Sequence, residues 1–565
     1  MQWAKWFPFL RWQCPNALLL RNETIAAFTV TIILIPQAVA YAALAGMPLA
    51  TGLYASLLPA LVSTLWGGTS RLSVGPTALS CLLIAASLQG MAQPFSAEWV
   101  NLAIWLALLA GAMQMVLGGL RAGWLVNMIS APVLTGFTQA AGVLIIASQL
   151  PALLGLKGSL SQILNAPQFQ GQEMAFGVGS FAMLWLAKRY APRLPMVLVV
   201  VCSSGLLSYL VGFEAAEGAV IGHLPAGLPA LVWPPTLPWS TVSGLLVPAM
   251  VIALVSFLEV ASSAKVQSQQ DGSLWNDNQD LIGQGLAKMA SALSGSFPTS
   301  TSFSRSAINI YAGATTGWSA LISTGMVLLA LLFLMPALHY VPSAVLSAVV
   351  IVAVIGLIQP SQFVRLWKIS RAETLTSLAT LSLTLLTAPR IYWGVLAGVM
   401  LGLIHFLYQR LHPRIIEVGL HPDGSLRDRH LWKLPPLAPH MYALRMDAEL
   451  DFAAASSFER NITEYVAQHP NTTDVCLFAQ PINRIDASGV EVFATLIASL
   501  RQRGITLHIS GIKLPVENVL RRTGLLAEHP LLRIYRTDAE ILANGVAPAF
   551  MDTALGGYDP SLKRV

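Results

Sequence analysis

The chain has 565 residues, 55% of them hydrophobic and only 11% charged, with a mean hydropathy of +0.63. Soluble globular proteins carry about 25% charged residues, so the composition excludes a soluble globule and implies a polytopic membrane protein. The net charge of +6 is read as topological, not as a nucleic-acid footprint: 27 charged residues fall in 1–410 and 33 in the last 155, which leaves one domain's length of water-soluble chain at the C-terminus.

The N-terminal tail, 1–22, places Lys5, Arg11 and Arg21 ahead of a long, polar-interrupted apolar run, read as a first span and not as a cleaved signal peptide. A span needs about 20 apolar residues. Polar, Gly and Pro breaks give fourteen predicted segments: 23–44, 47–67, 72–90, 99–120, 124–150, 172–188, 194–212, 242–264, 278–295, 298–313, 316–337, 341–359, 372–389 and 391–409. With the N-terminus inside, even-numbered loops carry Arg71, Arg121, Lys188, Arg189, Arg193, Lys265, Arg365, Lys368 and Arg371, and Arg410 and Arg414 follow the last span. Odd-numbered loops carry only Lys157 and Arg390. This positive-inside bias predicts cytoplasmic N- and C-termini.

Segments 3 and 10 are short and broken. SRLSVGPTALSCLLIAA begins extended, passes Gly75-Pro76 and turns helical, with Pro76 expected at the first helical position. PTSTSFSRSAINIYAGA begins with a hydroxyl-rich, β-leaning stretch and turns helical from about Arg305. Paired broken segments in corresponding halves point to a transporter site built on an inverted repeat, because irregular backbone survives at membrane depth only where protein buries it or it lines a cavity.

Two half-helix N-termini facing each other make an anion site from unpaired N–H groups and aligned dipoles. The expected donors are the amides of Thr77 and Ala78 and those of Arg305 and Ser306, with Ser304 as N-cap. Arg305 adds a permanent charge and a planar donor fork suited to an oxyanion. Glu259, deep in segment 8, is the expected partner of Arg305 when the anion is absent. Burial and a neighbouring guanidinium pull its proton affinity in opposite senses, which suits a proton carrier. Gln37 and Tyr41, four apart on segment 1, share a helix face and can both donate to an anion. A static salt bridge and helix–helix hydrogen bonds are the structural alternatives for these residues.

The stretch IPQAVAYAALAGMPLATGLYASLLPALVSTLWGGTSRLSVGPTALS resembles the opening of the sulfate permease (SulP) anion-transporter family, relatives of solute carrier family 26. SFSRSAINIYAGA resembles that family's tenth segment and is closest to its sulfate transporters, and RIDASGVEVFATL resembles its C-terminal STAS domain. The resemblance implies a 7+7 inverted repeat with core and gate domains shared with uracil permeases, an elevator-like movement of the core and a homodimer. It places the anion on Gln37, Tyr41, Thr77, Ala78, Ser304 and Arg305, and puts Glu259 at the acidic position of proton-coupled members.

After Arg414 the composition becomes soluble. The expected divisions are a tail at 1–22, a transport domain at 23–410, a Pro-rich linker at 411–440, a STAS domain at 441–545 and a tail at 546–565. Strand-like MYALRMDAEL, TDVCLFAQPI and ITLHISGI alternate with helical runs at about 452–468, 488–502 and 515–526, the order of a small α/β domain. In the signature loop Asp486-Ala487-Ser488-Gly489, Ala487 stands where soluble STAS regulators carry a phosphorylatable residue. Ser488 is expected to cap the helix, with Asp486 near its positive end.

Cys14, Cys81, Cys202 and Cys476 are scattered, so no metal site or disulfide framework is implied. No nucleophile–base pair, phosphate loop or cofactor motif is found, so no enzyme, cofactor or nucleic-acid partner is expected. The expected function is proton-coupled sulfate uptake across a bacterial inner membrane, with a regulatory partner possible at the STAS domain. The alternatives are a sodium- or proton-coupled bicarbonate or dicarboxylate transporter, an anion exchanger, an uncoupled anion channel, and a membrane-anchored STAS regulator.

Overall fold

A computed structural model describes residues 7–156, 170–191, 195–216, 218–225, 227–272 and 274–545. Lys5, Lys157, Arg193 and the expected tail 546–565 lie outside the described residues. Two units separate, Met1–Gly402 and Leu403–Val565.

In the first unit the elements run α1 (Ala17–Leu44), α2 (Ala50–Tyr54), α3 (Leu58–Trp66), β1 (Val74–Gly75), α4 (Ala78–Leu88), α5 (Ala97–Gly119), α6 (Ala131–Leu153), α7 (Gly171–Tyr190), α8 (Met196–Val211), α9 (Trp239–Asp271) and α10 (Asp277–Leu293). Then come β2 (Ser300–Thr301), α11 (Phe303–Tyr311), α12 (Trp318–Phe333), α13 (Met335–Leu338), α14 (Ser343–Val354), α15 (Pro360–Ile369), α16 (Arg371–Leu386) and α17 (Tyr392–Leu411), which runs across the boundary between the units. All fourteen predicted segments coincide with elements of this series. Segment 2 is two short helices, and segments 3 and 10 are each a two-residue strand followed by a short helix. Among the described residues, six helical stretches are long and apolar enough to cross a membrane alone. The others are short, broken or carry polar residues, so they need neighbours inside the bilayer.

The helices sort into two bundles. In one, α10 packs on α5 and α3, α12 on α1, and α9 on α5 and α4. In the other, α16 packs on α6, and α14 on α7 and α6. Small residues set the close approaches. A Cβ on Gly52 would lie 1.9 Å from the Ala38 carbonyl oxygen, so α1 and α2 meet only because position 52 is glycine. Hydroxyl-bearing caps start many of these helices: Thr77 accepts from the Ser80 amide, Ser96 from Trp99, Ser302 from Arg305 and Ser370 from Glu373.

α15 falls in the loop that carries Arg365 and Lys368, where no helix is expected. Its face carries Val364, Trp367 and Ile369 exposed beside Arg365 and Lys368, an amphipathic pattern too short to span.

The second unit is a six-stranded sheet of order β4-β3-β5-β6-β7-β8, with β3 (Ile415–Leu420), β4 (Leu426–Asp428), β5 (Met441–Met446), β6 (Asp474–Phe478), β7 (Thr506–Ser510) and β8 (Leu532–Tyr535). β5 to β8 are parallel, and β3 pairs antiparallel with both β4 and β5. Helices α18 (Arg429–Trp432), α19 (Ala455–Gln468), α20 (Ala487–Gln502), α21 (Leu514–Arg522) and α22 (Asp538–Gly545) complete the unit. Its core gathers Leu444, Phe458, Leu477, Phe493 and Ile509. Residues 411–440, expected as linker, instead supply β3, β4 and α18: proline signalled a break, but the hairpin forms by adding to the β5 edge.

The signature loop corrects a second detail. Asp486, not Ser488, is the N-cap of α20. Its Oδ1 accepts from the Gly489 amide at 2.8 Å and its Oδ2 from the Phe452 amide at 2.9 Å. The Gly489 amide first, then those of Phe452 and Ser488 against the opposing effect of burial, hold this carboxyl below its ordinary value.

Candidate anion site

The two broken segments meet. β1 and β2 pair antiparallel, Val74 opposite Thr301 and Gly75 opposite Ser300. The pairing continues past the strands: the Ser302 amide donates to the Ser73 carbonyl at 2.9 Å, and the Ser73 amide donates to Ser306 Oγ at 2.9 Å. Gly75 packs closely here: a Cβ there would lie 3.2 Å from Ser56 Oγ, a tight approach, and 3.5 Å from Arg305 Nη2.

The half-helices leaving this ribbon, α4 and α11, start alike. In α4 the cap Thr77 takes the Ser80 amide on its hydroxyl, and the first backbone bond runs from the Cys81 amide to the Thr77 carbonyl. In α11 the cap Ser302 takes the Arg305 amide on its hydroxyl, and the Ser306 amide donates to the Ser302 carbonyl. Each helix therefore leaves its first two amides without an acceptor among the described residues: Ala78 and Leu79 on one side, Phe303 and Ser304 on the other.

This shifts three expectations. Pro76 stands before the cap and not at the first helical position. The cap of α11 is Ser302, with Ser304 inside the first turn and exposed. The Arg305 and Ser306 amides are used internally, so the open amides lie two residues earlier. A run of four candidate hydroxyls, Ser300 to Ser304 with one Phe, does not reveal from sequence where the backbone leaves the extended region.

Arg305 is 1% exposed. Its Nη2 donates to the Pro76 carbonyl at 2.9 Å, its Nε to Ser73 Oγ at 3.3 Å and its Nη1 to Gln37 Oε1 at 3.4 Å. All three acceptors are neutral, so the guanidinium is held in place without being neutralised. Tyr41, one turn from Gln37 on α1, is buried, and its hydroxyl makes no hydrogen bond among the described residues. Gln37, Tyr41, Thr77, Ala78, Ser304, Arg305 and Ser306 are thus brought to one place, with Ser306 serving the ribbon.

Glu259 is not the ion-pair partner of Arg305. The carboxylate lies half-buried on α9, and its Oε2 accepts from Thr77 Oγ1 at 3.2 Å and Ser80 Oγ at 3.3 Å. It thus docks on the first turn of α4. A carboxylate is favourable at a helix N-terminus, which explains why Glu259 settles there and not on the already satisfied Arg305. Ser73 and Ser80 were missed from sequence because each acts across segments far apart in the chain. Lys288 was missed too, although a lysine inside predicted segment 9 was a visible signal.

The sequence signature of the sulfate permease family matches residues 20–380, and that of the STAS domain matches residues 436–541. The chain is 31% identical over 517 residues to a probable sulfate transporter of Mycobacterium tuberculosis, covering 90% of this chain and 92% of that protein. It is 30% identical to the chloroplastic sulfate transporter 4.1 of Arabidopsis thaliana, covering 92% of this chain and 79% of that one. The fold matches the inward-facing structure of murine solute carrier 26 family member A9, an anion transporter, with a TM-score of 0.85, 19% identity, and 95% and 93% of the two chains covered. It also matches the transmembrane domain of the cyanobacterial bicarbonate transporter BicA, with a TM-score of 0.59, 22% identity, and 69% and 98% covered.

Proposed function

The chain belongs to the sulfate permease family and ends in a STAS domain, and from this premise we propose that it is a secondary active transporter that takes up sulfate together with a proton. The observation that carries the reading is the β1–β2 ribbon, which sets two pairs of unbonded amides, Ala78 and Leu79 with Phe303 and Ser304, beside an unneutralised Arg305. Such a cluster recognises an oxyanion. Tyr41 and Gln37 supply further donors from α1.

Proton coupling is supported by where Glu259 docks. Its carboxylate occupies the first turn of α4, one of the two helix ends offered to the anion. Two negative charges there repel, so protonation of Glu259 and binding of the anion favour each other, and by linkage each raises the affinity for the other. An elevator movement is supported by the two-bundle packing, with the site on the bundle of α1, α4, α9 and α11. The proposal extends to an inner-membrane homodimer with cytoplasmic termini, a transport domain at 23–410 and a STAS domain that receives a regulatory partner.

Binding competition on the purified full-length protein tests the substrate, with sulfate, bicarbonate, chloride and a dicarboxylate compared at several pH values. The reading expects sulfate to bind tightest and to gain affinity as pH falls. Tighter binding of chloride or bicarbonate than of sulfate overturns it.

A further inference from the structure

Lys288 on α10 is fully buried, and its Nζ makes no hydrogen bond among the described residues. An ammonium taken out of water without partners is costly and is retained only where a nearby charge compensates it. Glu259 is joined to it through α5: Gln114 bonds Ser256, one turn before Glu259 on α9, and Gly111, one turn before Gln114, packs against Lys288. Glu259 and Lys288 form no contact ion pair, so the attraction is through space.

The surroundings are those of a cation site. Gln284, four residues before Lys288 on the same helix face, uses its Nε2 on Ser63 and Thr301 hydroxyls and leaves Oε1 with no donor. Gln114 on α5 uses its Nε2 on the Ala253 carbonyl and Ser256 Oγ of α9, again leaving Oε1 with no donor. The close approach of α10 to α5 is built in: a Cβ on Gly111 would lie 3.0 Å from Lys288 Cβ and 2.7 Å from the Gly285 carbonyl oxygen. The packing of α5, α9 and α10 thus contributes the Glu259 carboxylate, the Gln114 and Gln284 amide oxygens without donors, and the Lys288 ammonium.

We propose that Lys288 is a tethered counter-cation for Glu259, a positioning residue whose charge does the work of a bound alkali-metal ion, so that this chain needs none. The proposal rests on the reading of Glu259 as the carboxylate of the coupled step. Remove the ammonium, and an anionic pocket with hard oxygen donors remains, which is sodium chemistry.

The test is thermal melting of the purified full-length protein in choline gluconate and in sodium gluconate, for the wild type, Lys288→Met, Glu259→Gln, the double variant and Lys288→Arg. Each neutralising single variant is expected to melt lower than the wild type, and the double variant to recover most of the loss. Sodium is expected to raise the melting temperature of Lys288→Met by about 2–4 °C and to leave the wild type, Lys288→Arg and the double variant unmoved. If Lys288→Met cannot be purified, recovery of folded protein in the double variant carries the claim, and failure of both overturns it. Additive losses, a sodium response in the wild type, or none in a folded Lys288→Met also overturn it. These melts do not depend on proton-driven uptake, so they fail separately from the transport reading.

Discussion

Arg305 donates through Nη2 to the Pro76 carbonyl at 2.9 Å, across 229 residues of chain. The charge proposed to bind the anion is therefore also the pin that holds the break of segment 3 against segment 10. The proposed anion site and the joint between the two broken segments share one residue.

Replacing Arg305 by Lys tests the fork. One ammonium cannot serve Ser73, Gln37 and Pro76 together, although the charge remains. The KM for sulfate in proteoliposome uptake is expected to rise about 10–100-fold, equivalent to roughly 1.4–2.8 kcal/mol. An unchanged KM would mean that charge alone suffices.

Gln37→Glu tests whether Arg305 must stay unneutralised. The new carboxylate would sit 3.4 Å from Nη1 in place of the amide oxygen and compete with the anion. Sulfate uptake should fall to background while the apparent melting temperature holds or rises. Uptake near the wild-type rate would remove Arg305 from the anion.

Glu23 makes a separate, structural prediction. It is fully buried on α1; its Oε1 accepts from the amides and hydroxyls of Thr315 and Thr316, and its Oε2 from the Ser319 amide. It therefore ties α1 to the start of α12. Glu23→Ala leaves these donors unpaired and should cost roughly 3 kcal/mol, seen as a lower apparent melting temperature of the membrane unit.

Asp486 gives the pH dependence of the STAS unit. Its folded-state value is depressed, chiefly by the Gly489 amide, so its stabilisation is complete above the unfolded carboxyl value of about 3.9 and is lost as pH falls through the lower folded value. At pH 7, Asp486→Ala should cost about 1 kcal/mol, within the usual range for a lost N-cap. Followed by the far-ultraviolet melt of the STAS transition, the wild-type advantage over Asp486→Ala should persist at pH 5 and shrink below about pH 4. A constant difference down to pH 3 would contradict the capping role.

Much of this was legible because membrane burial is a strong constraint. Fourteen apolar segments, two of them broken, pointed to the fold, and an arginine inside one of them marked the segments that the structure pairs. What was not legible depended on contacts between distant segments. The β1–β2 ribbon is two residues long on each side and forms only when both halves meet. The cap of α11 fell on Ser302 because Ser302 also bonds Ser73, which no local pattern shows. Glu259 is paired with Arg305 by charge in the sequence reading, yet the structure gives each its own neutral hydrogen-bond partners.

The most direct test of coupled uptake is radiolabelled sulfate entry into proteoliposomes, with and without an inward proton gradient, for the wild type and Glu259→Gln. The account predicts gradient-stimulated accumulation in the wild type and uptake indifferent to the gradient in the variant. Wild-type uptake that ignores the gradient, or a variant that still follows it, would contradict the account.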